Sequence, residues 1–540
     1  MSPETRTKGR DRTRRTRPFG APVWLVVVAA GCAAVAAIPL AYLVARAAEV
    51  DAADIAETLL RPQVLRLTLN SVLLAAAVTV ACLVLGTASA WVLTRVKLPA
   101  PRGMLLISAL PLAVPSYLAS YGWLVWFPTL NGFWASWLIM TAVCTPYVTL
   151  PIAAALRSGS GDLEAVARTL GRGPLSAFRA AVWPQIRPAA VAGALLVCLY
   201  TLSDFGLVSM LRYQTLTWGI NSAYAASFNR NQAALLAMVL VVLALGIVTA
   251  ENRFRGNAKI AGGKNGRKNG GNGSGRSIRQ QGRGRAALRD AGRWKAALTV
   301  LVLSVPLIGV VIPVAGLTSR LLQAATLREL DITRLLEAIG ATLGLAVAGA
   351  VGAVLLALPI AALAARYRGR LVAAVEAVGF LGHALPGIVV GLSLVFFALA
   401  AVPALYQSAV VLVFAYVVLF MPKAIGTMRG GIAAVPGDLL DVSRSLGLSP
   451  WKTWWYVTAR LALPGIGVGA LLVAISVMKE LPATLLLRPT GISTLATELW
   501  SRTTVLEFGA AAPYAAALVV LAAVPAVVLS GIRGVAKEEL

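Results

Sequence analysis

Histidine occurs once in this chain of 540 residues, at His383, and cysteine four times, at Cys32, Cys82, Cys144 and Cys198. No cysteine stands in a CxxC spacing and all four lie in apolar runs, which excludes a disulfide framework or a zinc site and leaves them as small core residues. His383 has no second ligand-type cluster near it and reads as a packed or helix-end imidazole rather than a metal ligand. A GxxxxGK[ST] run is also missing, so the chain lacks that means of cradling ATP phosphates. No nucleophile–base constellation is recognisable either. Charged residues make up only 13% against 58% hydrophobic, too few for a soluble chain of this length. Acidic residues are scarce, 22 against 49 Lys and Arg, for a net charge of +27. In a soluble chain that excess would point to nucleic acid.

What is present is a series of apolar runs of spanning length. They fall at about 22–45, 68–94, 103–127, 133–156, 188–211 and 232–250, then at about 296–317, 341–365, 374–400, 405–427, 461–487 and 511–532. The fold class expected is therefore an all-α polytopic membrane protein with about 12 transmembrane helices in two tandem sets of six. Residues 1–19 form a basic tail, and the first apolar run is too long for a signal-peptide core, so it reads as an uncleaved span. With the N-terminus inside, 38 of the 49 Lys and Arg fall on the cytoplasmic side, a clear positive-inside bias. Residues 251–295 are Gly-, Asn- and Ser-rich and basic, without apolar periodicity, and read as a flexible cytoplasmic linker. They lack interleaved aromatics, so anionic lipid headgroups account for their charge and no nucleic-acid partner is expected. Trp123, Trp126, Trp134 and Trp137 flank an expected outer turn at 128–132, as an aromatic belt would.

The two sets of helices are copies of one another. GDLEAVARTLGRGPLSAFRAAVWPQIRP (161–188) lies over GDLLDVSRSLGLSPWKTWWYVTARLALP (437–464) at an offset of 276 with no gap. Each copy reads as helix, break, helix. Asp438 is placed to N-cap the first piece, with Asp441 completing a capping-box-like pair. Gly447 ends that piece, and Ser449-Pro450 starts the next. The first copy keeps Asp162, Gly171 and Pro174.

These loops resemble the cytoplasmic coupling loop, often called the EAA loop, of binding-protein-dependent ABC importer permeases. On that pattern Asp441 holds the acidic position of copy two, whereas Ala165 stands there in copy one with Glu164 one residue early; Arg444 matches Arg168. The resemblance implies two fused permease domains, 20–250 with coupling loop 161–188 and 296–535 with coupling loop 437–464. It further implies two copies of a cytosolic ABC ATPase, which would use the ATP and Mg, an external or periplasmic solute-binding protein, and no cofactor on this chain. The setting implied is a bacterial cell membrane with both termini cytoplasmic. Met478 to Trp500 and Ser203 to Ile220 are similar to the corresponding stretches of ferric-iron importer permeases, although fused thiamine, aminoethylphosphonate and other small-solute permeases share the layout.

Beyond the loops, Asp204 lies over Glu480 and Arg212 over Arg488 at the same offset, with Lys479 beside Glu480. Ionisable residues inside a bilayer are costly and mark function by default. The expectation is that these five line a translocation pathway and that Asp204 and Glu480, facing each other, relay a hard cation transiently. The opposing reading is a structural pair such as Lys479 with Glu480. An ion-coupled secondary transporter would instead need relays in several helices and has no use for paired loops. A membrane scaffold would not need matched acids.

Overall fold

A computed structural model describes residues 21–158, 162–227, 229–267, 288, 290–324, 326 and 330–538. The basic tail and residues 268–287 of the linker lie outside that set. Ten described helices are long and apolar enough to cross a membrane. In the first half they are Val23–Ala48, Pro62–Arg95, Gly132–Ser158, Phe178–Ser203 and Arg230–Ala250. The second half holds Gly292–Leu321, Ile332–Arg366, Ala409–Ala433, Pro450–Met478 and Phe508–Pro525. Among the described residues no β-strand accompanies them.

Four of the expected straight spans are corrected. The runs at 103–127 and 374–400 are each two helices bent at a short break. Gly103–Ala113 meets Ser116–Trp126 at 91°, and Arg370–His383 meets Gly387–Ala401 at 101°. Counted as one span each, they bring the total to twelve. Proline is the cause. It lacks an N–H and pushes its predecessor out of the helical region, as at Val114 with ψ 122° before Pro115, and Pro386 itself has ψ 143°. The fifth runs of each half, expected to reach 211 and 487, stop instead at Ser203 and Met478. A short helix follows each stop, Gly206–Met210 and Pro482–Leu487. The backbone also stays helical from Arg230 to Arg267, into the segment expected to be linker. Extending an existing helix needs no new nucleus, so polar residues can follow an apolar span.

The halves exchange their first helices. Val23–Ala48 of the first half packs on Ile332–Arg366, Arg370–Gly379 and Gly387–Ala401 of the second. Ile312–Leu321 of the second half packs on Ser116–Trp126 of the first. Tyr42 meets Phe397 edge-on at 5.7 Å between ring centroids. At the other exchange the backbones nearly touch, because Gly122 presents no Cβ to the Pro313 main chain. A π turn at Leu307–Val311 precedes Pro313. In that register the Ile308 carbonyl would be bonded by residue 313, which as proline has no N–H. The Trp123 indole N–H donates to Ile308 at 3.0 Å, and that of Trp126 to the Ile312 carbonyl at 3.3 Å. Two of the tryptophans expected to form an interfacial belt therefore tie the halves together. Trp137 donates to Ala77 at 3.3 Å, while Trp134 is 74% exposed.

Gly122→Ala should lower the melting temperature of the purified protein, since a methyl driven into the Pro313 backbone costs about 1–3 kcal/mol. Gly246→Ala, where nothing lies within 4 Å, should leave it unchanged. Equal melting curves for the two variants, read by thermal unfolding in detergent, would refute this packing.

Candidate functional site

A cavity of about 590 Å³ lies between the halves, a size suited to a small ligand. Its walls include both bends, at Pro115-Ser116 and Gly387, and the ends of both fifth spans. Asp204, Lys479 and Glu480 line it, as the sequence led us to expect. Arg212 and Arg488 do not. Arg212, at positive φ, lines a separate recess with Asn131 and Thr504, and Arg488 donates to Ser493 Oγ at 3.1 Å.

The two acids are engaged by helix starts rather than by each other. Asp204 Oδ1 accepts from the Leu207 N–H at 2.9 Å, and its other oxygen accepts from the Ser116 hydroxyl. Glu480 Oε1 accepts from the Ala483 N–H at 2.8 Å, while Oε2 accepts from the Thr484 N–H at 2.9 Å and the Thr484 hydroxyl at 2.6 Å. The Tyr416 hydroxyl then donates to Thr484 Oγ1 at 2.8 Å. Each carboxylate thus sits at the first turn of the short helix that follows it, where free N–H groups and the helix dipole favour negative charge. Each also touches the bend of its own half. Ser116 opens the helix Ser116–Trp126, and a Cβ on Gly387, which opens Gly387–Ala401, would stand 2.7 Å from Glu480 Oε1. Among the described residues no ion pair joins Lys479 to Glu480; the lysine donates instead to the Leu112 carbonyl of the first half at 3.3 Å.

The duplicated loops also fold alike. Asp162–Thr169 and Gly437–Ser445 are short helices that end at Gly171 and Gly447, with φ of 80° and 77°. Both ends carry the same pair of bonds. Gly171 N–H donates to Arg168 and Arg172 N–H to Ala167, as Gly447 does to Arg444 and Leu448 to Ser443. Ser449 Oγ accepts from the Lys452 N–H at 3.4 Å, so the expected restart at Pro450 holds. The start of the second loop is corrected. Pro436, extended at ψ 135°, stands before the helix, and no side chain caps it. Asp438 falls within the first turn, where its charge still suits the dipole, and Asp441 pairs with Arg444 at 3.2 Å instead of closing a capping box. Asp441 is exposed, whereas Glu164 is buried, 3.9 Å from Arg168. Leu170 and Leu446 are each 75% exposed at equivalent positions, giving both loops an apolar outer knob.

A profile described as "Binding-protein-dependent transport system inner membrane component" matches residues 82–250 and 353–535, once in each half. The chain belongs to this family. It is 32% identical over 514 residues to the Fe(3+)-transport system permease protein FbpB 2 of Haemophilus influenzae, covering 95% of this chain and 99% of that one. The sulfate transport system permease protein CysT of Escherichia coli is 28% identical over 243 residues, 40% of this chain and 87% of its own. The molybdate/tungstate transport system permease protein WtpB of Thermococcus kodakarensis is 26% identical over 214 residues, 39% and 86% respectively. The chain is thus a multi-pass membrane subunit of a transport system rather than an enzyme. Its family implies a solute-binding protein and an ATPase as partners.

In each half one helical stretch joins the duplicated loop to the cavity. A π turn follows each loop at equivalent places, Phe178–Val182 and Trp454–Ala459, and the fifth span runs on from it to the cavity acid. Sequence reasoning missed the elements just beyond. The Leu216 N–H donates to Ser71 Oγ at 2.8 Å and the Leu495 N–H to Thr342 Oγ1 at 3.0 Å, pinning a short helix of each half to its second span. It also missed Glu498, buried between Arg334 at 2.9 Å and Arg502 at 3.3 Å. Only the i, i+4 spacing of Glu498 and Arg502 could have signalled it.

Glu480→Ala should destabilise the protein by roughly 2 kcal/mol or more, because it strands two buried N–H donors. Glu480→Gln, which keeps one acceptor, should cost less. Thermal unfolding of both variants beside the parent checks this, and an alanine variant as stable as the parent would show that the carboxylate does not hold the break.

Proposed function

We propose that this chain is the permease subunit of an ATP-driven importer that moves ferric iron, delivered by an external binding protein, into the cytoplasm. The observation that carries the cargo is the similarity along 95% of the chain to an Fe(3+)-transport permease, a span that includes both halves. Two ATPase subunits dock, one on each coupling loop, with the exposed Leu170 and Leu446 as apolar contacts. The paired loops support that copy number, since each presents the same break and the same knob. ATP and Mg belong to those partners, and this chain binds neither. Both termini are cytoplasmic in this reading, as is the linker, which accords with the bias of Lys and Arg to one side.

Energy reaches the cavity mechanically. A push on the coupling loop travels along the fifth span to a carboxylate that grips both a short helix and the bend of its own half. The acids therefore act as pivots, and alternating access follows from moving the two bends relative to each other.

A deletion strain should regain ATP-dependent uptake of 55Fe(III), and not of labelled thiamine, when it carries this chain with its partner subunits. Gly171→Pro and Gly447→Pro should each cut uptake and ATPase pull-down while the protein still reaches the membrane, because proline cannot take the φ near +80° that the break requires. Thiamine uptake would overturn the cargo, and pull-down at the parent level with both variants would overturn the docking.

A further inference from the structure

The cavity is duplicated in backbone but not in chemistry. At the offset of 276 that aligns the halves, Tyr147 lies over Lys423, Tyr200 over Ser476 and Ser203 over Lys479, and all six line the cavity. In the first half the two phenol rings meet at a tilt of 40°, 5.7 Å between centroids. In the second, Lys423 Nζ donates to Ser476 Oγ at 2.5 Å and also lies 4.9 Å from the Phe420 ring. One wall is phenolic and the opposite wall carries two amines. Each lysine spends one of its three hydrogens on the protein, Lys423 on Ser476 and Lys479 on Leu112, which leaves the rest for whatever occupies the cavity.

The two carboxylates offset these amines in net charge but not in hydrogen bonding. Their oxygens already receive donors from helix starts and hydroxyls, as described above. A bare trivalent cation entering here would find those oxygens already engaged, with two ammonium groups beside it. Ammonium and phenol hydrogens suit anionic oxygen instead. A hard ferric ion prefers oxygen ligands, and phosphate or carboxylate can supply them.

Resting on the ferric reading, we infer that the species crossing this cavity is a ferric ion shielded by oxygen-donor anions, of the phosphate or carboxylate kind, and that Lys423 and Lys479 select it by donating to those oxygens. The anion crosses with the metal. The phenolic wall receives the same oxygens by hydrogen bonding, without adding positive charge.

The test is dual-label uptake in proteoliposomes holding the full importer, with its binding protein outside and ATP inside. 55Fe(III) is presented with [32P]phosphate in one arm and [14C]citrate in the other. We expect one of the two anion labels to enter together with 55Fe, and the arm in which it does so identifies the anion. Lys423→Met with Lys479→Met should lose about tenfold or more of the iron uptake, while the double Lys→Arg variant retains most of it. Membrane level and ATPase pull-down are measured alongside. Iron entering with neither label, or at the parent rate through the methionine variant, overturns the inference. Labelled anion entering without iron would refute the ferric reading and leave recognition by the two lysines standing. Entry of neither through the parent protein refutes both.

Discussion

A carboxylate buried between helices has to be compensated, and how Asp204 and Glu480 are compensated governs much of this molecule. Each is met by N–H groups of the helix that begins two residues later and by a hydroxyl. Those donors exist only because the fifth span ends just before the acid. The ends of the fifth spans, the start of the short helices and the position of both bends are consequently one arrangement in each half. Without the acid, the first turn of each short helix would have fewer acceptors in an environment that offers little water. The cavity walls rest on these two points.

Under the proposed coupling, the same arrangement gives force a route. In that proposal a span that starts at a π turn beside the duplicated loop and ends at a carboxylate on a bend acts as a lever with its far end pinned. The π turns occupy equivalent places in the two copies although the residues there, FRAAV and WWYVTA, share little. Backbone geometry has outlasted side-chain identity at that joint.

How much of this was legible beforehand depends on the kind of signal. The coupling-loop breaks were readable, because a glycine needed for positive φ and a proline suited to a helix start are local requirements that survive in both copies at Gly171, Gly447 and Pro450. The helix ends at Ser203 and Met478 were not. Apolar residues continue through Leu211 and Leu487, and hydropathy measures solvent preference without regard to where a helix stops. The bends were not legible either, since the apolar runs at 103–127 and 374–400 continue through Pro115 and Pro386. For the acids, alignment found the position and misjudged the partner, since the donors are main-chain groups that no side-chain pattern records. Alignment by identity also passed over Tyr147 and Lys423, where the copies differ and the difference itself carries the information.

The exchange of first helices bears on how such a chain can be made. Val23–Ala48 finds its seat on helices between Ile332 and Ala401, so it must wait in the bilayer until several hundred later residues have been synthesised. Ile312–Leu321, by contrast, emerges to a surface already waiting on Ser116–Trp126. The first half is thus completed by the second, and neither is a self-contained unit at birth. Joining both in one polypeptide keeps the partner of that early helix at high local concentration throughout synthesis, an assembly advantage distinct from anything the finished transporter does.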